Sequence, residues 1–496
     1  MSETVVNRVR KGNYVDSVAL MRMSKSIGAM PEICEAALMM GTVANREILA
    51  TAGLLVAAGQ SAKGGDLIIA VRGATKESAE RAVDAAEAQL NQPTTRREGA
   101  STWRPRSMQA ALKSAPNANL ALISVAGEFA VAEARKAIRQ GLHAMIFSDN
   151  VPLGEEAKLK QEAAELNRLV MGPDCGTAII NGTPLAFANV VPRGNIGIVG
   201  ASGTGTQEVS CLIAHYGGGI SHAIGVGGRD LSSEVGGTST LQALAVLAAD
   251  EQTQKIVIVS KPPPADITAK VLMRVEAINK PVVICFIGAD EMPMPVNAMQ
   301  VFSLKAAART AMELAAEGDV APSKRIAAPV GRPRIHGLFS GGTLCAEAQA
   351  ILAARRQAVC SNTPIPGVPN LDEATAGHVM LDLGDDEFTQ GRPHPMIDPS
   401  VRDQTVVSAL SDETVGVVLL DVVIGFGAHA DPAGHIVACL MQHAGPDSAA
   451  IVASVTGTDH DPQVRSAQIS KLEAAGVHVA PTNADASLWA LSAISA

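Results

Sequence analysis

Residues 194–208 read GNIGIVGASGTGTQE, and this stretch limits the possible folds more than any other. Ile196, Ile198 and Val199 form an apolar run without a charge, as a strand covered on both faces of a parallel sheet requires. Gly200, Ser202, Gly203 and Gly205 follow, and small residues there let the chain turn sharply into a helix and close up on a ligand. A helix opening near Thr204 offers unpaired N–H groups, the positive end of its dipole and the hydroxyls of Ser202 and Thr204, which together suit a phosphate or carboxylate. The same pattern also describes a tight strand-to-helix turn that binds nothing.

A second stretch of this kind, GLFSGGTLCAE at 337–347, carries Ser340, Gly341, Gly342 and Thr343 between an apolar strand end and a helix start. Two such turns can aim two helix N-termini at one anion, each contributing about 0.3–1 kcal/mol when exposed.

The 496 residues are too many for one core. Hydrophobic residues make up 47% and aromatics 2%, so Ala, Val, Ile and Leu must pack the interior, as in α/β layers, and 45 glycines supply the turns. A net charge of −9 and the lack of stacking aromatics argue against nucleic-acid binding. No signal peptide or membrane-spanning apolar run is present, so a cytoplasmic protein without membrane contact is expected. The seven cysteines have no CxxC pairing and read as reduced core thiols, with no metal site.

In chain order, residues 1–112 read as a small α+β module, with helices over 15–23 and 76–90, a segment at 33–39 that is strand-like or simply buried, and a strand over 67–71. The polar run 91–106, with Arg96 and Arg97, reads as a linker. Residues 119–190 form a Rossmann-like βαβ domain with strands at 120–125 and 144–148. Residues 191–320 and 334–496 read as two flavodoxin-like domains, the second with strands at 335–339, 379–383, 415–423, 449–455 and 477–480. The fold class is therefore multidomain α/β.

Open α/β sheets bind ligands at the C-terminal ends of their strands, so the residues there are the candidates. Arg229 in GVGGRDL either neutralises an anion at the first turn or pairs with Asp230 at the surface. Lys261, at the end of strand 256–260, either serves that anion or is solvated. Cys175, in the turn MGPDCGTA, reads as a packed thiol. His394, His429 and His460 share one rim with several aspartates, without metal-ligand spacing, so acid–base chemistry or substrate hydrogen bonding is preferred to a metal. Asp459 and Asp461 read as caps.

The runs MGPDCGTA, GNIGIVGASGTGTQE, GVGGRDL, DEQTQKIVIVSKPPP and KPVVICFIG resemble, in order and spacing, the second half of the succinyl-CoA synthetase α subunit. GLFSGGTLCAE, LDLGDDEF and VVLLDVVIGFGAHADP are similar to the CoA-ligase domain of its β subunit. Together with GRPHPMIDP they resemble the FdrA family of acyl-CoA synthetase-like proteins, from about residue 119 onward. The resemblance implies that the two glycine turns start the paired helices which, in the synthetases, hold a phosphohistidine. No histidine lies between His222 and His336, however, and Lys261 aligns with the glutamate that pairs with that histidine. The synthetases' CoA phosphate loop and ATP-grasp half also have no counterpart.

The resemblance therefore implies transfer of an acyl-type group to free phosphate. The substrates expected are those of an oxamate carbamoyltransferase system: oxalurate and phosphate give oxamate and carbamoyl phosphate. Phosphate would lie at Ser202, Gly203, Thr204, Ser340, Gly341, Gly342 and Thr343, with Lys261 and Arg229 offsetting charge and His394 or His429 donating a proton. No cofactor is required, and CoA and ATP or ADP enter only if the protein is a conventional acyl-CoA synthetase. A non-catalytic scaffold is the third reading. Companion proteins of the same operon and a homodimer are the expected partners, with the N-terminal module as a subunit contact.

Overall fold

The computed structural model describes residues 3–13, 15, 17–91, 105, 107–373, 377–389, 394–445 and 447–495. Arg96, Arg97 and residues 391–393 of GRPHPMIDP lie outside them. The described residues form two compact units, one running to Leu142 and including Ser148–Asn150, the other holding the rest.

In the first unit, strands Thr4–Arg10 and Ile33–Met40 pair antiparallel on either side of Leu67–Gly73. The central strand, LIIAVRG, sends Leu67, Ile69 and Val71 against helices Ser17–Gly28 and Lys76–Asn91. Its alternate residues Ile68 and Ala70 pack with Leu49 and Leu54, which explains an apolar run without polar alternation. The edge strand Thr4–Arg10 has no sequence expectation above, because its Asn7, Arg8 and Arg10 break the apolar pattern. Asn7 is nonetheless structural, donating to Leu54 O (2.8 Å) and accepting from Val56 N (2.8 Å).

The second unit contains two flavodoxin-like sheets. In the first, parallel strands Ala298–Gln300, Val282–Phe286, Lys255–Ser260, Arg193–Gly200 and Ile220–Gly225 lie side by side in that order. An antiparallel hairpin, Thr177–Ile180 with Thr183–Ala186, extends the sheet beyond Ile220–Gly225. In the second, the five expected strands appear as Arg334–Phe339, His378–Asp382, Val415–Val423, Ala450–Thr456 and His478–Ala480, with a further edge strand, Val359–Ser361. Both sheets follow the flavodoxin order of 2-1-3-4-5.

One core runs through both sheets. Four helices share it: Gly203–His215 and Leu304–Ala311 from the first fold, and Gly342–Ala354 and Asn483–Ile494 from the second. Val209, Leu304, Leu344 and Trp489 represent them there. Each fold thus contributes the helix after its first strand and the helix after its last.

These helices cap one another reciprocally. Glu347, on the first helix of the second fold, accepts from Leu304 N (2.6 Å) at the start of the first fold's last helix. Glu208, the matching residue of the first fold, accepts from Asn483 N (3.4 Å) at the start of the second fold's last helix. Asn483 also donates through Nδ2 to Glu347 (2.7 Å) and to Leu344 O (3.0 Å). Helix N-termini favour carboxylates, which explains two buried acids in an apolar core. Their burial still raises both carboxyls, that of Glu347 to about 7.

Candidate functional site

The reciprocal packing brings two helix starts together at the C-terminal ends of the strands. Ser202 caps the Gly203–His215 helix by accepting from Gly205 N (3.0 Å), and its hydroxyl contacts that of Thr343 at the start of the Gly342–Ala354 helix. A Cβ on Gly341 would lie 3.0 Å from Thr204 Cβ, and one on Gly205 would lie 2.9 Å from Thr343 Cγ2. Glycine at both positions is what lets the turns approach this closely. Gly203 and Thr204 on one side, and Gly342 and Thr343 on the other, are first-turn residues whose N–H groups have no intrahelical acceptor. Gly203 is exposed, and Ser202, Thr204 and Gly342 are half-buried, so this part of the two turns reaches solvent, whereas Thr343 is buried.

Ser340 and Gly341 differ from the expectation that they hold phosphate. Their N–H groups both donate to the buried Asp421 carboxylate (2.7 Å each), as does the Ser340 hydroxyl (2.8 Å). Arg402 completes the arrangement, donating to Asp421 Oδ1 (2.9 Å) and Asp421 O (2.7 Å). An internal anion therefore occupies the first donors of the second turn. Asp421 sits within the wholly buried strand VGVVLLDVV, where an ionised side chain persists only with such partners.

Lys261 follows strand Lys255–Ser260 and is exposed. Its positive charge acts on Asp382, at the end of strand His378–Asp382. Asp382 is 7% exposed. Its Oδ1 accepts from Gly384 N (3.0 Å), and its Oδ2 lies against Gly342, 2.5 Å from where a Cβ would stand. Burial raises this carboxyl to about 6, against the lowering by Lys261 and the Gly384 N–H.

His394 approaches the same place, its Nε2 lying 2.6 Å from a Cβ built on Gly384. Its Nδ1 accepts from Met396 N (3.2 Å), so the proton of the neutral ring is on Nε2. Burial lowers the imidazole to about 4. His394 is therefore neutral near pH 7, a hydrogen-bond donor and not the proton source the sequence suggested. His429 joins the same loop through its N–H to Met396 O (2.7 Å), and its Nδ1 accepts from Asp431 N (3.1 Å).

Arg229 takes neither expected role. It pairs with the buried Glu156 (2.9 Å) and donates to Val151 O (2.8 Å). Glu156 and Asp230 also hold the fully buried Lys160 (2.9 and 2.8 Å), while Asp230 accepts from Ser239 N and Thr240 N at the start of helix Thr238–Ala249. Arg229 thus joins this network through Glu156 while 43% of its side chain stays exposed. Cys175 is a buried thiol, raised to about 12 by desolvation. Asp459 accepts from Ser466 N (2.7 Å), Asp461 ties Thr458 N to Val190 N (2.7 Å each), and His460 is exposed.

A cavity of about 950 Å³, lined by Arg193, Asn195, Gly218 and Gln254, lies at the opposite end of strand Arg193–Gly200 and so away from the helix starts. No group of three or more His, Cys, Asp or Glu among the described residues is placed to hold a metal.

Comparison with known proteins agrees with this architecture. Residues 338–493 match the CoA-ligase family, 192–288 the CoA binding domain and 1–105 the AllF heavy metal-associated domain. The uncharacterized protein YahF of Escherichia coli K12 is 39% identical over 501 residues, covering 97% of each chain. The chain belongs to the FdrA family. This FdrA-family chain is also 28% identical over 149 residues to succinate–CoA ligase [ADP-forming] subunit alpha 2 of Archaeoglobus fulgidus, spanning half of that protein's length. A solved dinucleotide-forming acetyl-coenzyme A synthetase 1 of Ca. Korarchaeum cryptofilum, in complex with phosphate and ADP, aligns over 76% of this chain and 82% of its own. The identity is 15% and the TM-score 0.30.

The two family models place a CoA binding domain and a CoA-ligase domain in one α/β chain. The N-terminal match does not bring a heavy-metal site with it. Residues 1–105 contain one cysteine, the exposed Cys34, and no histidine, whereas soft-metal sites need several thiolate or imidazole ligands.

Sequence reasoning missed Asp382, Asp421, Arg402 and the Glu208–Glu347 exchange. For Asp421 and the two glutamates the signal was present: a carboxylate inside an apolar run or on a helix face otherwise made of small and apolar residues must have a partner in the fold.

Proposed function

We propose that this chain catalyses phosphorolysis of a ureido acid, with oxalurate and phosphate giving oxamate and carbamoyl phosphate. The observation that carries the reading is the pairing of two open helix starts with Lys261, in a chain that has no histidine between His222 and His336 to act as a phosphoryl carrier. Free phosphate fits where a covalent carrier is missing.

In this reading the N–H groups of Gly203, Thr204, Gly342 and Thr343 hold phosphate, and Lys261 offsets its charge. A phosphate oxygen bonds to the ureido carbonyl carbon, and the carbon–nitrogen bond to the oxamate portion breaks. The proton of hydrogen phosphate ends on the departing nitrogen, so atoms and charge balance. His394 contributes its Nε2–H to a substrate oxygen, and His429 lies on the same rim to orient the substrate carboxylate. Positioning two anions against a carbonyl supplies much of the rate, without a covalent intermediate. Companion proteins and a homodimer are part of the proposal.

The test supplies the purified full chain, with and without its operon neighbours, with oxalurate and radiolabelled phosphate but no ATP or CoA. Label in carbamoyl phosphate is the expected result, and its absence from every mixture refutes the reading. Lys261→Ala should then raise the KM for phosphate roughly 10- to 100-fold, the worth of one charge-assisted hydrogen bond, with a smaller change in kcat. An unchanged phosphate dependence removes Lys261 from the site.

The CoA-ligase and CoA binding domain matches favour a second reading, acyl-CoA synthesis. It requires a CoA thioester once ATP, CoA and a small acid are added.

A further inference from the structure

A carboxylate beside an anion site is repelled by its ligand unless a proton lies between them. Asp382 is in that position. Its backbone is fixed by Asn362, which accepts from Asp382 N (2.8 Å) and donates to Asp382 O (2.9 Å). Its Oδ1 is committed to Gly384 N, whereas Oδ2 accepts no hydrogen bond from any described residue and lies beside Gly342, the first residue of the helix. The side chain is thus more than nine-tenths buried, with one unpartnered oxygen aimed at the open donors.

Resting on the phosphate reading above, the geometry points to Asp382 Oδ2 as the acceptor for the proton of a bound hydrogen phosphate, so that the site takes phosphate and refuses sulfate. The two ions match in size and shape. Near neutral pH hydrogen phosphate keeps one P–OH, and sulfate keeps none. Phosphate can therefore donate to Oδ2 while its other oxygens accept from Gly342 and the neighbouring N–H groups. Sulfate presents only acceptors, so its oxygen meets the carboxylate with like charge and no hydrogen bond. Lys261 favours the ionised carboxylate that accepts the proton, and Asp385 and Asp421 oppose it. Asp382 is a specificity-determining residue in this arrangement, and the proton it holds is the one that must reach the leaving nitrogen.

The experiment is titration calorimetry of the full chain with inorganic phosphate and, separately, with sulfate at pH 7.5. Wild-type protein should bind phosphate at least tenfold more tightly than sulfate. Asp382→Asn can keep its oxygen on Gly384 N and turn an NH2 donor toward the anion. In that variant phosphate should weaken at least tenfold and sulfate should tighten. Equal affinity of the wild-type protein for the two ions overturns the assignment of Asp382 and leaves the phosphate site standing. An unchanged preference in the variant overturns it as well. Failure of the wild-type protein to bind either ion refutes the phosphate site and this inference together. The wild-type comparison decides the matter alone if the variant does not fold.

Discussion

Asp421→Ala is expected to lower the stability of the second unit by about 3–5 kcal/mol, read as a fall in its urea midpoint. The carboxylate, in a strand without solvent contact, receives Ser340 N, Gly341 N, the Ser340 hydroxyl and Arg402. Removing it strands a guanidinium that is itself 4% exposed, together with two backbone donors. The penalty comes mainly from those abandoned groups and less from the net worth of the ion pair. Replacing both partners, as Asp421→Leu with Arg402→Met, should therefore cost less than the single substitution. A double variant as unstable as Asp421→Ala would contradict this account.

Glu347→Gln should change how stability depends on pH. Burial raises the Glu347 carboxyl to about 7, while the unfolded chain has it near the ordinary glutamate value of 4.5. The folded state thus binds a proton that the unfolded state has already released between these values. The stabilisation from that proton is complete below about pH 4.5 and is lost as pH rises through about 7. The separation corresponds to about 3 kcal/mol at alkaline pH. Glutamine can still accept from Leu304 N and has no proton to lose. Its NH2 replaces the oxygen that accepts from Asn483 Nδ2, so the variant should also carry a constant loss of stability that does not change with pH. Urea titrations of the wild type and variant from pH 5 to 8.5 should show the wild type losing ground and the variant holding steady. Parallel curves would show that another group carries the proton.

Much of the fold was legible because each buried strand is an apolar run ending in small residues. Val415–Val423 is found at the expected residues, and Leu67–Gly73 within two of them. The hairpin Thr177–Ile180 with Thr183–Ala186 escaped because four-residue strands around Asn181–Gly182 carry too little pattern, and Pro184 argues against a strand. At the site, local sequence located the two turns but not their occupants. Ser340 looks like Ser202 in sequence, yet only the fold reveals that Asp421, about 80 residues on, fills one turn. Arg229 failed for the same reason: its true partner, Glu156, lies about 70 residues earlier, on helix Leu153–Glu165. Charges announce that they need partners, and one sequence does not say which partners they choose.

The exchange of helix caps also sets an order of events during synthesis. Domains generally fold as they leave the ribosome, N-terminal first. Glu208 is made 275 residues before the backbone N–H of Asn483 that it accepts, and Glu347 136 residues before the Asn483 amide. The first flavodoxin-like fold must therefore wait with an unanswered acid on its joining face. That face should remain loosely closed, and open to chaperones and proteases, until ribosomes have passed codon 483.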